Sequence, residues 1–311
     1  MNVLTPGLVV TGSDGTTRTE LVRPGMCGPG SLFVGQVGDW TWDTVSAVTD
    51  TNVYTARDVG GAPTYLAFHY LEVRGGPGLT VRGLTFGDVL RIDSRAFGFG
   101  SESVLTLHEI RRTPRRAGRI DPDRFHAYED PDCLYARTFN RWVVRGASGG
   151  NGDLCSASPV GFRHDHLPTL PTTHSPRRAY ARLRDLAAVV PPADDRSRLV
   201  VDYPVDPSRD LNGVGLLYFA AYFSIVDWAV LRLWRHRGGS DAGFLRRTVL
   251  DQRMSYLGNA DAGTVLRVSV TRHDGGDAPG ADESILAVLT DRDTGRPIAV
   301  AEQQATTGGT R

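Results

Sequence analysis

The sequence contains no lysine, so all 35 of its cationic side chains are arginines. This absence excludes enzymes that bind their substrate or pyridoxal phosphate through a lysine Schiff base. It also excludes nucleotide sites that need a Walker lysine and the S-x-x-K pair of some serine enzymes. The cations are balanced by 35 acidic residues, giving a net charge of +0. A chain without a basic excess is not expected to bind nucleic acid.

Cysteines and long apolar runs are also scarce. The three cysteines are odd in number and far apart, and the N-terminal segment lacks the basic and apolar regions of a secretion signal. We therefore expect reduced thiols in a cytoplasmic protein. The longest apolar stretch, 216–234, contains Asp227 and Arg232, and a charge at the centre of a bilayer costs on the order of 3 kcal/mol. It is predicted to be a buried helix and not a membrane span.

Two kinds of catalytic site have little support in the sequence. His164, Asp165, His166 and His174 have the residue types of a metal site, but they lie on a proline-rich segment without a persuasive fourth ligand. No G-x-S-x-G motif is present, which argues against a serine hydrolase. We predict no metal and no bound cofactor.

Helix and strand patterns follow one another in the same order in the two halves of the chain. In the first half a helix-length pattern covers 30–50. It is followed by strand-like runs at 64–74, 87–99, 103–112 and 134–145. In the second half the helix at 216–234 precedes strand-like runs at 266–270, 285–289 and 296–304. Each half is thus predicted to be an α+β unit whose antiparallel sheet curls around a helix.

Two short sequence matches support an internal duplication. The pattern G-x-G-x-L-aromatic occurs at 28–33 and at 213–218, and the pattern G-x-V-L occurs at 87–90 and at 263–266. Both matches appear in the same order in each half.

The two halves are joined by a segment rich in Gly, Pro, Thr and His at 146–176. A linker helix is predicted to follow, with Ser175 as N-cap and Pro176 as first residue. We therefore expect a first unit with its linker helix at 1–190 and a second unit at 191–311.

A helix led by glycines and wrapped by an antiparallel sheet, present twice, resembles the double hot-dog fold. The segment 210–222, DLNGVGLLYFAAY, is similar to the start of the helix in hot-dog acyl-CoA thioesterases. From Val22 to about Thr306 the chain resembles the bifunctional acyltransferase/decarboxylases of leinamycin-type polyketide biosynthesis. This resemblance rests on the segments 26–33, 50–58, 63–66 and 210–222.

The resemblance implies a substrate, a partner and a reaction. Methylmalonyl-CoA would donate its acyl group to an acyl carrier protein with loss of carbon dioxide, leaving a propionyl thioester on the carrier. It also implies that a tyrosine carries the acyl group. Apart from the CoA thioester itself, no cofactor is needed.

Tyr54 is the predicted nucleophile, with Tyr65 as the substitute candidate. A free phenol has a pKa of about 10 and is a weak nucleophile at neutral pH. Arg57 is the nearest guanidinium in sequence and is expected to favour the phenolate. Thr51 and Asn52, in the same polar loop, are expected to position the thioester carbonyl. Alternatively, Tyr54 is an ordinary aromatic residue at a strand edge.

The two glycine segments are predicted to supply oxyanion donors. Both are expected where a loop runs into a buried helix, because unpaired N–H groups there lie at the positive end of the helix dipole. The backbone donors belong to Gly28, Gly30, Ser31 and Gly213, and Asp210 and Asn212 are expected to position the substrate. A purely structural role at the start of each helix is the alternative. Phe33, Trp40, Trp42 and Phe68 are either the dry wall that decarboxylation needs or plain core.

The densest cationic run, at 111–119, is either a solvated loop or a docking site for CoA phosphates or an acidic carrier protein. Its predicted contacts are Arg111, Arg115 and Arg116, with Arg57 as a further candidate.

Two other functions stay open. One alternative is a hot-dog thioesterase, and the other is a module that binds acyl thioesters without catalysis. A dehydratase is disfavoured because neither predicted helix start offers a histidine. A homodimer of the double unit is a further open possibility.

Overall fold

The computed structural model describes residues 7–112, 119–186 and 196–308. The strands in this part of the chain are β1 (Val9–Thr11), β2 (Gly15–Leu21), β3 (Tyr65–Arg74), β4 (Val89–Gly98), β5 (Ser103–Arg111), β6 (Cys133–Arg145), β7 (Leu154–Ser156), β8 (Arg198–Pro204), β9 (Thr248–Tyr256), β10 (Val265–Asp274), β11 (Glu283–Asp291) and β12 (Pro297–Thr306). The helices are α1 (Gly30–Thr49), α2 (Pro122–Ala127), α3 (Pro176–Leu186), α4 (Ala221–His236) and α5 (Asp241–Arg246).

The strands form one antiparallel sheet in the order β1-β2-β4-β5-β6-β3-β9-β12-β11-β10-β8, and β7 extends it beside β6. The sheet consists of two runs of five strands, joined where β3 pairs with β9 in the register Leu71 opposite Met254. In chain order each run is a strand, a long helix and four strands: β2-α1-β3-β4-β5-β6, then β8-α4-β9-β10-β11-β12. This repeated order is the double hot-dog arrangement that the sequence predicts.

The match between 87–90 and 263–266 has a structural counterpart. Gly87 and Gly263 precede β4 and β10 with φ of +86° and +82°, a conformation that favours glycine. The residue after each glycine accepts a hydrogen bond from the residue that follows β2 or β8. Val22 N–H donates to Asp88 O at 2.7 Å, and Val205 N–H donates to Thr264 O at 2.9 Å. The internal duplication therefore reaches the level of individual backbone hydrogen bonds.

Both long helices pack on one face of the sheet and against each other. Helix α1 begins after Pro29 and ends at Asp50, which has the left-handed φ of 53°. Helix α4 begins at Ala221, five residues later than predicted. The residues before it are held in a bridge between Leu211 and Leu217, so they cannot join the helix. No helix in the described residues is long and apolar enough to cross a membrane.

Helix α3, predicted as the linker helix, covers the other face of the sheet across the junction of β3 and β9. Successive residues of β12 show the two faces, since Ala299 and Ala301 belong to the core under α1 and α4 while Val300 belongs to the cluster under α3. The Ser255 hydroxyl donates to the Tyr180 carbonyl of α3 at 3.3 Å. The linker helix thus joins strands from both halves.

The strands that sequence patterns missed are the short β1 and β7 and the longer β2, β8 and β9. β9 carries Asp251, Gln252 and Arg253 in its middle, which hides any apolar alternation. These polar residues are buried or half-buried because β9 lies at the junction of the halves, where Arg253 bonds Asp251 at 2.6 Å and Glu72 of β3 at 3.2 Å. The partner charges lie far away in sequence, so no local pattern reveals them.

Candidate functional site

Tyr54 lies in the loop after α1, and its hydroxyl reaches back to the helix. The phenol donates to Asp43 Oδ1 at 2.9 Å, and Arg18 of β2 donates to Asp43 Oδ2 at 2.8 Å. Asp43 is 8% exposed and Arg18 is 6% exposed, whereas Tyr54 is 58% exposed. The three residues form a chain that leads from the protein surface to a buried ion pair.

The electrostatics of this chain differ from the prediction. Desolvation of the phenol, the charge of Asp43 and the hydrogen bond to it raise the pKa of Tyr54 well above 10. Arg57 is not the neighbour of the phenol, because its Nη1 donates to Gly61 O at 2.8 Å within its own turn. The prediction that Arg57 favours the phenolate is therefore wrong. The guanidinium near Tyr54 comes from β2, and a carboxylate stands between them.

Thr51 and Asn52, which were predicted to position the thioester carbonyl, stabilise the loop that carries Tyr54. Asn52 Oδ1 accepts the N–H of Tyr54 at 3.0 Å, a local turn that sets the direction of the Tyr54 backbone. The Thr51 hydroxyl lies within bonding distance of the carbonyls of Thr49 and Gly161, at 3.2 Å and 3.1 Å. In this structure both side chains therefore bond the protein's own backbone.

An apolar wall adjoins Tyr54. The Trp42 ring meets the Tyr54 ring edge-on at 6.1 Å and the Phe219 ring at 6.1 Å, and Phe219 stacks on Phe68 at 4.1 Å. Trp42 and Phe68 are the two predicted wall residues that reach this place. The other two, Phe33 and Trp40, are buried in the core and pack edge-on against each other.

The first glycine segment lies where it was predicted, at the start of α1, with Gly28 at φ +103° and Gly30 as the first helical residue before Ser31. It does not lie near Tyr54. An α-helix rises about 1.5 Å per residue, so Gly30 and Asp43 are about 20 Å apart along α1. The N-terminus of α1 instead faces β9, since a Cβ on Gly30 would lie 3.6 Å from Gln252 Oε1.

The second glycine segment does not begin a helix, and that prediction is wrong. Asn212 Oδ1 accepts the N–H groups of Val214 and Leu216, closing a turn that includes Gly213. Asp210 is 2% exposed and accepts from the Tyr203 hydroxyl at 2.9 Å. Helix α4 starts only after this turn.

The start of α4 brings Tyr218 and Phe219 against α1. A Cβ on Gly35 would lie 3.0 Å from the Tyr218 hydroxyl, and a Cβ on Gly38 would lie 2.1 Å from Phe219 Cζ. At this end of α4 the N–H groups of Ala221 and Phe223 donate to the carbonyls of Tyr218 and Ala220, at 2.9 Å and 3.1 Å. The positive end of the α4 dipole therefore lies beside the Phe219 ring, which contacts Trp42.

A polar cluster that sequence patterns missed lies between the two long helices and the second half of the sheet. Gln303 Nε2 donates to Asp227 Oδ1 at 2.8 Å, and Arg247 Nη1 donates to Gln303 Oε1 at 3.1 Å. Gln303 is the cross-strand partner of Gln252, which faces the start of α1. Burial raises the pKa of Asp227. The sequence feature that could have revealed this cluster is Asp227, a carboxylate inside an otherwise apolar helix.

The remaining predicted residues lie away from Tyr54 or in strands. Arg111 is 13% exposed at its side chain and is bound by Glu109 at 2.8 Å and Asp130 at 3.0 Å, so its charge is already matched. This contradicts its predicted role as a free phosphate contact. Tyr65 is half-buried at the start of β3, opposite Val143. Arg115 and Arg116 lie outside the described residues.

The histidine-rich segment shows protein contacts. His174 Nε2 lies 2.7 Å from Asp123 Oδ1, its ring stacks on His126 at 4.0 Å, and His166 Nε2 lies 3.1 Å from Ser13 O. Within the described ranges, no three His, Cys, Asp or Glu side chains are grouped to hold a metal ion.

Solved structures similar over nearly the whole chain are thioesterases. The 12:0-ACP thioesterase from Umbellularia californica superposes with a TM-score of 0.56 at 12% identity, covering 96% of this chain and 99% of that one. An acyl-ACP thioesterase from Bacteroides thetaiotaomicron gives a TM-score of 0.53 at 8% identity, covering 94% and 98%. At such identities the likeness concerns the fold. The comparison with curated proteins gave no match.

The match to a family model concerns the sequence itself. The model described as "LnmK N-terminal Hot Dog Fold domain" matches residues 17–191, which is more than half of the chain. The matched segment contains α1, the Tyr54 loop and the first five-stranded run. The chain belongs to the family of the LnmK N-terminal hot-dog fold domain.

Proposed function

We propose that the protein is an acyltransferase and decarboxylase that takes methylmalonyl-CoA and delivers a propionyl group to the phosphopantetheine thiol of an acyl carrier protein. The observation that carries the proposal is the 2.9 Å hydrogen bond from the Tyr54 hydroxyl to Asp43. Membership of the LnmK family and the resemblance of the segments 26–33 and 50–58 support the choice of substrate.

Asp43 is the base in the first step. A phenol whose pKa is raised stays protonated at neutral pH, so its proton must leave during the attack on the thioester carbonyl. The phenol oxygen forms a bond to the carbonyl carbon, its proton passes to Asp43, and the C–S bond breaks. The CoA thiolate leaves and takes up a proton. Arg18 balances the charge of Asp43 before the transfer.

The apolar wall serves the second step. The bond between the α-carbon and the carboxylate breaks, carbon dioxide leaves, and the electron pair forms an enolate of the tyrosyl ester. Trp42 and Phe219 would solvate the carboxylate poorly, which favours its loss. The positive end of the α4 dipole is proposed to stabilise the enolate charge. A proton then reaches the α-carbon.

In the last step the carrier thiol gives its proton to solvent and its sulfur attacks the propionyl ester. The C–O bond to Tyr54 breaks, the thioester forms, and the phenolate recovers its proton from Asp43. The enzyme returns to its starting state, and no metal or redox partner takes part in this sequence.

Hydrolysis of acyl thioesters is the second candidate function. It is favoured by the Asp227–Gln303 pair at 2.8 Å, beside Gln252 and the N-terminus of α1. A carboxylate and an amide so arranged can orient a water molecule, and the raised pKa of Asp227 suits a base. The N–H groups at Gly30 and Ser31 would then hold the thioester oxygen.

One experiment separates these functions. The protein is incubated with methylmalonyl-CoA and a phosphopantetheinylated carrier protein, and all species are followed by mass spectrometry. Propionyl carrier protein, lost in Tyr54→Phe and retained in Tyr65→Phe, supports the transferase. Free acid as the main product, lost in Asp227→Asn, supports the thioesterase and contradicts the transferase. Unchanged substrate contradicts both and leaves the non-catalytic binding module.

A further inference from the structure

The Phe219 side chain inserts from the second half of the chain into the apolar wall of the first. Its ring stacks on Phe68 with centroids 4.1 Å apart and an interplanar angle of 25°. The Phe219 carbonyl accepts the Tyr256 hydroxyl at 3.0 Å, which fixes the backbone from which the ring projects. Phe219 itself is 8% exposed. The ring therefore has one defined place against α1.

That place exists because α1 carries a glycine beneath the ring. A Cβ on Gly38 would lie 2.1 Å, 2.8 Å and 2.9 Å from three carbons of the Phe219 ring, far inside contact distance. A glycine within a helix is less favourable than alanine. Gly35, one turn earlier, similarly gives room to Tyr218. The two glycines form a shallow groove along α1 that these aromatic residues fill.

The filled groove lies next to the proposed reacting group. Trp42 contacts Tyr54 on one side and Phe219 on the other, each at 6.1 Å between ring centroids. An acyl chain attached to Tyr54 and running along α1 past Trp42 would meet the Phe219 ring. The ring contacts of Phe219 are with Trp42, Phe68 and Tyr218, and the groove floor beneath it is glycine backbone. The Asp39 carboxylate is the nearby charge, since it acts on both Tyr54 and Tyr218.

We propose that Phe219 is the residue that limits acyl chain length, so that the Tyr54 site takes short acyl thioesters and rejects longer ones; this rests on the proposed function of Tyr54. Removing the ring opens the groove over Gly38, as far as the Tyr218 side chain that covers Gly35. Each methylene that fits a hydrophobic pocket improves selection about 10-fold or more. Phe219→Ala is thus expected to raise the ratio of octanoyl-CoA to propionyl-CoA affinity at least 10-fold.

The test measures binding, so that it does not depend on turnover. Dissociation constants for propionyl-, butyryl-, hexanoyl- and octanoyl-CoA are measured by calorimetry in a Tyr54→Phe background, with and without Phe219→Ala. The matched control is Phe97→Ala, which removes a buried phenylalanine ring from the opposite face of the sheet. The control should leave the ratio unchanged.

A folded Phe219→Ala protein whose ratio matches the parent would overturn the inference, as would an equal change in the Phe97→Ala control. Should Phe219→Ala fail to fold, the milder Phe219→Leu and the double variant Gly38→Ala/Phe219→Ala are measured instead. In the double variant the new methyl group occupies part of the vacated space, so the gain for octanoyl-CoA is expected to be smaller. If Phe219→Ala changes the affinity ratio but the wild-type protein forms no propionyl carrier protein, the proposed function alone is refuted.

Discussion

The Tyr54 hydroxyl and the Asp43 carboxylate are 2.9 Å apart, although one belongs to an exposed loop residue and the other to a residue buried in α1. The loop residues Asn52 and Thr51 fix this approach by bonding to backbone groups. Asp43 in turn is held by Arg18. The Asp43 carboxylate raises the pKa of the Tyr54 phenol, and in the proposed mechanism it is also the base that accepts the phenol proton.

Asp43→Asn should remove the base and keep the shape. General-base catalysis contributes about 10²- to 10⁴-fold, so we expect the rate of tyrosine acylation to fall by that factor. The rate is measured by quenched-flow mass spectrometry with methylmalonyl-CoA. The residual rate of propionyl carrier protein formation should be the same in Asp43→Asn/Tyr54→Phe as in Tyr54→Phe alone, because both residues act in one step. Additive losses would contradict the proposed roles.

Arg18→Met should destabilise the fold. It leaves the buried Asp43 carboxylate without its cation, and breaking one partner of a buried ion pair costs about 3–5 kcal/mol. The free energy of unfolding is measured by urea titration. Arg57→Ala, at an exposed position, is the matched control and should change it by about 0.5 kcal/mol or less. Similar losses in both variants would show that the Arg18–Asp43 pair is not special.

Asn212→Ala tests the corrected role of the second glycine segment. The Asn212 side chain accepts two backbone N–H groups, at 3.1 Å and 3.0 Å. Its removal should lower the free energy of unfolding by about 1–3 kcal/mol, since those donors lose their partner. The propionyl transfer rate of the folded variant should match that of the wild type. A folded, fully stable variant with impaired transfer would restore the role in substrate binding.

The contribution of three buried histidines to the free energy of unfolding should fall as the pH drops from about 6.5 towards 4. Burial lowers the pKa of His108 to about 3 and the pKa values of His69 and His126 to about 4. A lowered pKa means that the unfolded chain binds protons that the folded chain refuses, so stability is full above pH 6.5 and declines below it. Each histidine contributes up to about 1.4 kcal/mol per pH unit in that window.

The measurement is a series of urea titrations between pH 7.5 and 4.5. His108 lies between the Ser94 and Thr41 hydroxyls at 2.7 Å and 2.9 Å, so His108→Gln should reduce the slope by keeping a polar group that does not titrate. The exposed His236→Gln is the control and should leave the slope unchanged. The raised pKa values of Asp39 and Asp251 act in the opposite direction in this window, so the comparison with the variant decides. An equal pH dependence in His108→Gln and in the wild type would contradict the assignment.

Much of the fold follows from local patterns. Helix α1, helix α3 and the strands β3 to β6 lie close to their predicted bounds because the apolar residues of each occur at regular spacing. The repeated pattern also predicts the duplication. β9 was missed because its buried polar residues are neutralised by β3 and β12, contacts that local sequence does not encode.

The candidate site was predictable only in part. A polar loop with a tyrosine after a helix pointed to Tyr54, but its partners Asp43 and Arg18 come from a buried helix position and from a strand that the pattern did not reveal. The nearest arginine in sequence, Arg57, bonds within its own turn. Asp227, Gln303 and Arg247 meet only after α4, β9 and β12 have packed.

The central claim is that Tyr54 carries the acyl group, and peptide mapping tests it most directly. Because the chain has no lysine and Arg23 precedes a proline, trypsin releases residues 19–57 as one peptide whose only tyrosine is Tyr54, and residues 58–74 as the peptide that contains Tyr65. The protein is treated with methylmalonyl-CoA without carrier protein, quenched and digested. We expect an acyl mass on the 19–57 peptide that disappears in Tyr54→Phe and is retained in Cys27→Ala, which removes the thiol of the same peptide. The same acyl mass on that peptide in Tyr54→Phe, or on 58–74 in the wild type, would contradict the central claim.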